Sequence, residues 1–470
     1  MIRRTFLFLA LSSFVHAATL WPQFRGPAGQ STAADKTLPT ELDTARNLLW
    51  TAALPGGASS PVIVGGRAFL TGFADGKLVT LGVNLADGVI AWRHETTPEK
   101  LEVYMEKLGS PAASTCATDG ERVVSYFGSY GLTCFDLDGK VLWEVKLPVA
   151  QSKDGFGTGS SPIIHDGLVY LLRDEVGPGN GLYAFDAKTG AQVWKRSREE
   201  FRVSYGTPVV WDGVLVALGD TRAKGYDLKT GEERWLIHGL AAYPCTTPTP
   251  GADGNLYIAT WSPGGSPDEQ MPTFDALLKM MDKDGDGRIS RAEAATTPFK
   301  DFFDVMDKNK DGYWDRSEWE GNLNWMKRGK NAVLAVKPGG RGDITATHVL
   351  WNNEKGAPYV ASPLYFDGKL FMVKDGGFAT LYDAVTGKIL YEKQRLGVPG
   401  DYYVSPTFVN NRIYLAATSG TLLVLDARAT DKPTVLSKLD LGEFLAASPA
   451  FADGRIYIRT KQKLYAFGAK

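Results

Sequence analysis

The stretch Leu182-Tyr-Ala-Phe-Asp186-Ala-Lys-Thr189-Gly190-Ala-Gln-Val-Trp194 decides the fold. Two apolar runs, each the length of a short strand, flank a turn of Asp, Thr and Gly. The pattern returns at Gly225-Tyr-Asp227-Leu-Lys-Thr230-Gly231-Glu-Glu-Arg-Trp235, and weaker copies end at Trp92, Trp143, Trp351 and Tyr391. Ahead of it stands a second element: a small residue and proline, a strand, a tight turn and another strand. It reads Ser161-Pro162 with Asp166-Gly167, Thr207-Pro208 with Asp212-Gly213, and Ser362-Pro363 with Asp367-Gly368. It recurs at Ser60-Pro61, at Thr247-Pro248, at Ser405-Pro406 with Asn410-Asn411, and at Ser448-Pro449 with Asp453-Gly454. An eighth copy has Thr115 in the proline position, followed by Asp119-Gly120. Asp-Gly and Asn-Asn suit two-residue hairpin loops, whose central residues need positive φ.

Four antiparallel strands per unit at this period form the blades of a propeller, each sheet burying both faces against its neighbours. The eight starts fall at positions 61, 115, 162, 208, 248, 363, 406 and 449, and the single long interval, 248 to 363, must hold an insertion. Setting aside that insertion and an N-terminal leader leaves roughly 44 residues per blade, the period of familiar propeller repeats. The last unit runs out after Leu464-Tyr-Ala-Phe467, without an outer strand. Asn47-Leu-Leu-Trp50-Thr-Ala-Ala-Leu54 carries a tryptophan at the matching place, so residues 47–54 are expected to close the ring.

The insertion has the most specific motif in the chain. Asp282, Asp284, Asp286, Gly287 and Glu293 occupy positions 1, 3, 5, 6 and 12 of one EF-hand loop, and Asp307, Asn309, Asp311, Gly312 and Glu318 those of a second. Calcium takes six to eight hard oxygens, which such a loop supplies from the side chains at 1, 3 and 5, the backbone carbonyl at 7 and a bidentate Glu at 12. Position 7 is Arg288 and Tyr313; position 9 is Ser290 and Asp315. Phe274, Leu277, Leu278 and Met281 precede the first loop at helical spacing, and Phe299, Phe302, Phe303 and Met306 precede the second identically. The loops are only thirteen residues apart, so the helix leaving the first is short, and Trp314 stands at position 8 where Ile289 is the commoner type. The sequence therefore predicts an all-β eight-bladed β-propeller with a small α-helical EF-hand pair inserted in blade five, holding two Ca²⁺ ions.

The parts are a signal peptide at 1–17, a leader at 18–46, propeller at 47–262, the EF-hand pair at 263–330 and propeller again at 331–470. Arg3 and Arg4 before an apolar run that ends at Val15-His16-Ala17 read as an export signal cleaved after Ala17, giving a secreted or periplasmic protein. That run is too short to span a bilayer, and no later segment reaches spanning length. A formal charge of −1 gives no basic footprint for nucleic acid. Three cysteines, Cys116, Cys134 and Cys245, do not make a disulfide scaffold and are expected to be buried thiols. A monomer is expected.

The Ala-x-Asp-x-x-Thr-Gly-x-x-x-Trp pattern resembles the tryptophan-docking repeat of pyrroloquinoline-quinone-type propellers over most of the chain outside the insertion. That family includes quinoprotein alcohol dehydrogenases and a non-catalytic propeller lipoprotein of outer-membrane barrel assembly. The leader Trp21-Pro-Gln-Phe-Arg25-Gly-Pro27 is similar to the start of many secreted bacterial members. The resemblance implies a fold and leaves the chemistry open. Bound pyrroloquinoline quinone, with a catalytic Ca²⁺ in the funnel and a carboxylate base, is the enzymatic alternative. Many such dehydrogenases carry adjacent cysteines, and this chain has none.

A binding or scaffold role is the main reading, from aromatic and acidic residues just before the inner strands: Phe156, Tyr205, Tyr243, Tyr359, Asp401, Tyr402, Tyr403 and Phe444. Such a mouth suits a saccharide or a peptide, because tyrosine joins an apolar face to a polar tip. Arg341-Gly342-Asp343 is a triplet that recurs by chance. The histidines show no metal-ligand spacing, and no HExxH, P-loop or G-x-S-x-G elbow occurs.

Overall fold

A computed structural model describes residues 20–34, 37–39, 41–107, 109–267, 270–295, 297 and 299–469. The export signal read at 1–17 lies outside them. Eight sheets of four or five strands make the blades, and a two-stranded ribbon lies apart from them. In chain order the inner strands are Val62–Val64, Ala117–Thr118, Ile163–His165, Val209–Trp211, Thr249–Pro250, Leu364–Phe366, Thr407–Val409 and Ala450–Ala452, which number blades 1 to 8. The hairpin residues take the expected left-handed conformation: Asp166 and Gly167 have φ of 48° and 76°. Blade 8 is completed by the strand Leu48–Ala53, which runs antiparallel to Lys463–Gly468 with Trp50 opposite Ala466. Gly342–Asp343, from the Arg-Gly-Asp triplet, adds a parallel fifth strand to the outer edge of blade 4.

Two devices join the blades. One lies on the outer side, where five docked tryptophans span to the next blade. The indole N–H groups of Trp50, Trp92, Trp143, Trp194 and Trp351 donate to the backbone carbonyls of Leu85, Leu137, Ala187, Leu228 and Ala384 at 2.9–3.1 Å. The glycine of each Thr-Gly turn is where the neighbouring indole lies. A Cβ at Gly190 would come within 2.8 Å of Trp143, and one at Gly231 within 2.7 Å of Trp194. The repeat therefore pairs a tryptophan with the glycine of the following blade.

The second device is on the axis. The small residue before each proline is a serine or threonine, and its hydroxyl accepts the backbone N–H of its counterpart one blade earlier. Ser60 N–H donates to Thr115, Thr115 to Ser161, Ser161 to Thr207, Thr207 to Thr247, Thr247 to Ser362, Ser362 to Ser405, Ser405 to Ser448, and Ser448 back to Ser60, all at 2.9–3.1 Å. Thr115 thus holds the hydroxyl place and not the proline place read from the sequence. Cys116 stands where the proline would be, and the hairpin from Asp119 to Glu121 is one residue longer to compensate.

Below this ring the leader plugs the channel. Trp21 pairs with Ile63 of blade 1, and Thr32 and Ala33 run parallel to Phe408 and Val409 of blade 7. Arg25 is fully buried, with its guanidinium on Thr249 Oγ1 and the Pro363 carbonyl. Between the second and third strands of blade 5, Leu256–Thr260 and Ala332–Val336, the chain leaves to build a helical unit. Its helices are α1 (Phe274–Met281), α2 (Arg291–Ala294), α3 (Phe303–Met306) and α4 (Arg316–Met326). Among the described residues, no helix is long and apolar enough to cross a membrane.

Candidate functional site: a funnel beneath a helical insertion

The two twelve-residue segments of the insertion fold alike. Gly287 N–H donates to Asp282 Oδ2 and Gly312 N–H to Asp307 Oδ2, each at 3.0 Å. Arg288 N–H donates to Asp286 at 2.8 Å and Tyr313 N–H to Asp311 at 3.0 Å. Glu293 accepts from Lys283 N–H at 2.7 Å and Ser290 N–H at 2.8 Å; Glu318 accepts from Lys308 N–H at 2.8 Å and Asp315 N–H at 3.3 Å. Each of these Glu residues closes a capping box with Ser290 or Asp315, which fixes its carboxylate at the start of α2 or α4. Ile289 and Trp314 pair across the ribbon, tying the two segments together.

The first segment brings one oxygen each of Asp282, Asp284 and Glu293 within 4.8 Å of one another, a donor set suited to a hard cation. Asp286 stands outside that group, and the second segment, with Asn309 in place of one carboxylate, forms no such group of three among the described residues. Arg288 stacks on Tyr313 with 3.8 Å between guanidinium carbon and ring centre, a second tie between the two segments. The unusual Trp314 is the core of the unit: it is fully buried, stacks on Phe303 at 4.9 Å and donates its indole N–H to the Phe303 carbonyl.

The propeller's own cavity, of about 200 Å³, lies on the axis above the hydroxyl ring. Seven of the ring residues and Phe24 from the leader make its floor. Phe156, Tyr205, Tyr243, Cys245, Tyr359 and Tyr403 stand in its wall. Five aromatics singled out in the sequence therefore do converge. Tyr402 does not: it is buried in blade packing, with its hydroxyl on the Val398 carbonyl, and Phe444 borders a separate cleft. Cys245 is only half-buried, unlike Cys116 and Cys134, so the expectation of three buried thiols fails at the residue that faces the funnel.

The insertion reaches this mouth. Its connection lies on the same side of blade 5 as the loops leading into the inner strands, because strand direction alternates across a blade. Phe302 was expected in the apolar stripe of its own helix. A 3-10 turn over Lys300–Phe302 precedes α3, and its ring meets Phe156 edge-on at 6.4 Å. Trp325 of α4 meets Tyr243 at 6.4 Å and lies 4.4 Å beneath the ammonium of Lys153. Lys153 in turn bonds Asp154 and the hydroxyl of Tyr243, at 3.0 Å each. Arg328 pairs with Asp220, and Lys107 with Asp301. No single segment could reveal the contacts between the insertion and the propeller, which join residues over 80 positions apart.

Burial governs the charges around the funnel. It pushes the Cys245 thiol up to about 12 and the Asp375 carboxyl to about 6, although Tyr402 N–H donates to the latter. Glu102, behind the wall, is raised to about 7 chiefly by burial, against the pull of Thr158, whose hydroxyl donates to it at 2.6 Å. The carboxyls of Asp154, Asp375 and Asp401 are the charged groups felt by Tyr205, Tyr359 and Tyr403.

The family model described as outer membrane protein assembly factor BamB matches residues 32–153, 104–242 and 278–470. The chain belongs to this family. Among curated proteins it is 30% identical over 105 residues to the quinohemoprotein alcohol dehydrogenase ADH-IIG of Pseudomonas putida, covering 20% of this chain and 13% of that protein. It is 26% identical over 206 residues to the tetrathionate hydrolase of Acidithiobacillus ferrooxidans, covering 41% of this chain and 38% of that one. The chain thus spans well under half the length of these relatives. The crystal structure of BamB from Moraxella catarrhalis superposes with a TM-score of 0.53 at 14% identity, covering 93% of this chain and 98% of that one. A europium-containing methanol dehydrogenase superposes at 0.60 with 10% identity, covering 96% and 98%. At such identities the likeness establishes the propeller fold.

The funnel lining does not fit the quinone and catalytic ion of the dehydrogenases. Among the described residues that line it there is no carboxylate to hold a cation or act as base, and no Lys or Arg to hold a quinone's acid groups. The nearby field is acidic. The insertion's first segment, by contrast, gathers three carboxylates.

Proposed function

We propose that the protein is a secreted or periplasmic calcium-ion-binding propeller whose funnel is a binding or scaffold site, without catalysis of its own. Residues 282–293 and 307–318 act as an EF-hand pair. Asp282, Asp284, Asp286 and Glu293 hold one Ca²⁺ with the Arg288 carbonyl; Asp307, Asn309, Asp311 and Glu318 hold the other with that of Tyr313. The observation that carries the reading is where the second loop's helices go. Phe302 immediately precedes α3 and Trp325 lies near the end of α4, and the two touch Phe156 and Tyr243 of the funnel wall. An ion that orders residues 307–318 also fixes both aromatics at the mouth, so calcium and funnel ligand are linked. Calorimetry on the full chain tests the ions. Two Ca²⁺ are expected, at the roughly 10⁻⁴–10⁻³ M affinity of extracellular modules, and Glu293→Gln and Glu318→Gln should each remove one.

The second reading, a quinone-dependent dehydrogenase, rests on the relatives of that name. It requires an absorbance change when the full chain is mixed with pyrroloquinoline quinone and Ca²⁺, and turnover in a dye-linked alcohol assay. Neither is expected.

A further inference from the structure

We propose that the funnel takes the end of a neutral saccharide, an inference that rests on the reading of the funnel as a binding site but not on the calcium sites. Three features of the lining select this class. The first is the floor. Each ring hydroxyl spends a lone pair on a backbone N–H, and a hydroxyl has one O–H besides its acceptor pairs. Seven such groups line the cavity and converge on the axis, where a ligand rich in oxygen acceptors can take their hydrogens. A hydrocarbon ligand would leave them unpaired, at a cost in affinity.

The second is the wall. Phe156, Tyr205, Tyr243, Tyr359 and Tyr403 stand in it, rings of the kind that pack against the C–H faces of a pyranose. The third is the absence of charge. Among the described residues that line the cavity, none is ionic. Lys153, which bonds the hydroxyl of Tyr243 in the wall, is committed to Asp154 and lies over Trp325. An anionic ligand would lose its water with no counter-charge and would meet the fields of Asp375 and Asp401. A quaternary ammonium would gain from the aromatic faces but would leave the convergent O–H groups with nothing to bond.

The test uses the full chain with saturating Ca²⁺ and follows chemical modification of Cys245, which stands in the wall. Probes are neutral oligosaccharides (cellotriose, maltotriose and tri-N-acetylchitotriose), choline and benzoate. At least one neutral trisaccharide is expected to slow the modification several-fold, with a midpoint matched by calorimetry. Tyr403→Ala, which removes one of the aromatic rings of the wall, should weaken that binding about five- to tenfold. Thr207→Val should weaken it as well, but it also removes an acceptor from the ring; Tyr403→Ala keeps the test open if the threonine variant does not fold. Protection by choline or benzoate and by no sugar overturns the ligand class while leaving a binding funnel. Protection by none of the probes overturns the saccharide assignment. Neither result touches the calcium sites, whose failure would appear in the calcium calorimetry alone.

Discussion

The backbone N–H of Ser448 donates to the hydroxyl of Ser60 at 2.9 Å across 388 residues of sequence, the last of eight such bonds that lock the inner ends of the blades into a circle. Removing one acceptor strands a buried N–H, which costs about 1–3 kcal/mol. Ser60→Ala should lower stability by that amount in denaturant titrations, while Ser60→Thr, which keeps the oxygen, should stay close to wild type. Equal stability of Ser60→Ala and wild type would show the ring to be incidental.

Gly190 and Gly213 separate packing from backbone strain. Both have left-handed φ, 73° and 71°, but a Cβ at Gly190 meets Trp143 at 2.8 Å while one at Gly213 meets nothing within 4 Å. Gly213→Ala should cost about 1 kcal/mol for the backbone alone. Gly190→Ala should cost about 2 kcal/mol more, because the docked indole must move. Thermal unfolding of the two variants measures the difference.

Glu102 makes stability depend on pH. Its folded pKa, about 7, lies above the ordinary 4.5, so the folded state holds a proton that the unfolded chain has released between those values. Its burial is harmless below about pH 4.5, and stability falls as pH rises from there through about 7, by about 3 kcal/mol at most. Glu102→Gln should remove this slope. Unfolding midpoints of wild type and variant should converge near pH 5 and separate in the variant's favour near pH 8. Parallel profiles would contradict the assignment.

Phe302 and Trp325 link the insertion to the funnel without touching the loop carboxylates. Phe302→Ala and Trp325→Ala should leave two Ca²⁺ bound in calorimetry, yet uncouple the ions from the mouth, so that Cys245 reactivity responds less to calcium than in wild type.

Much of this was legible in the sequence for a physical reason: a repeat shows every local constraint eight times. The Asp-Gly hairpins, the docked tryptophans and the strand at Leu48 each follow from residue type and spacing. The hydroxyl ring was hidden although its residues were in plain view, because "small residue before proline" describes Ser60 and Thr115 without saying that one bonds the other. That also explains the one-residue slip at Thr115: hairpin spacing pointed one way and the ring bond pulled the other. The meeting of Phe302 with Phe156 was not legible at all. A helical stripe assigned Phe302 to its own unit, and only the 3-10 turn before α3 frees it to face the propeller.

The claim that calcium and the funnel are linked is tested most directly by the rate at which Cys245 in the full chain reacts with a thiol reagent as Ca²⁺ is titrated. Cys245 lines the funnel, so an ordered mouth shields it and a loosened insertion lets the reagent in. The rate is expected to fall several-fold on adding Ca²⁺, with the midpoint found by calorimetry, and Glu318→Gln should abolish the response. A rate that does not change with calcium, in a chain that binds two ions, would contradict the account.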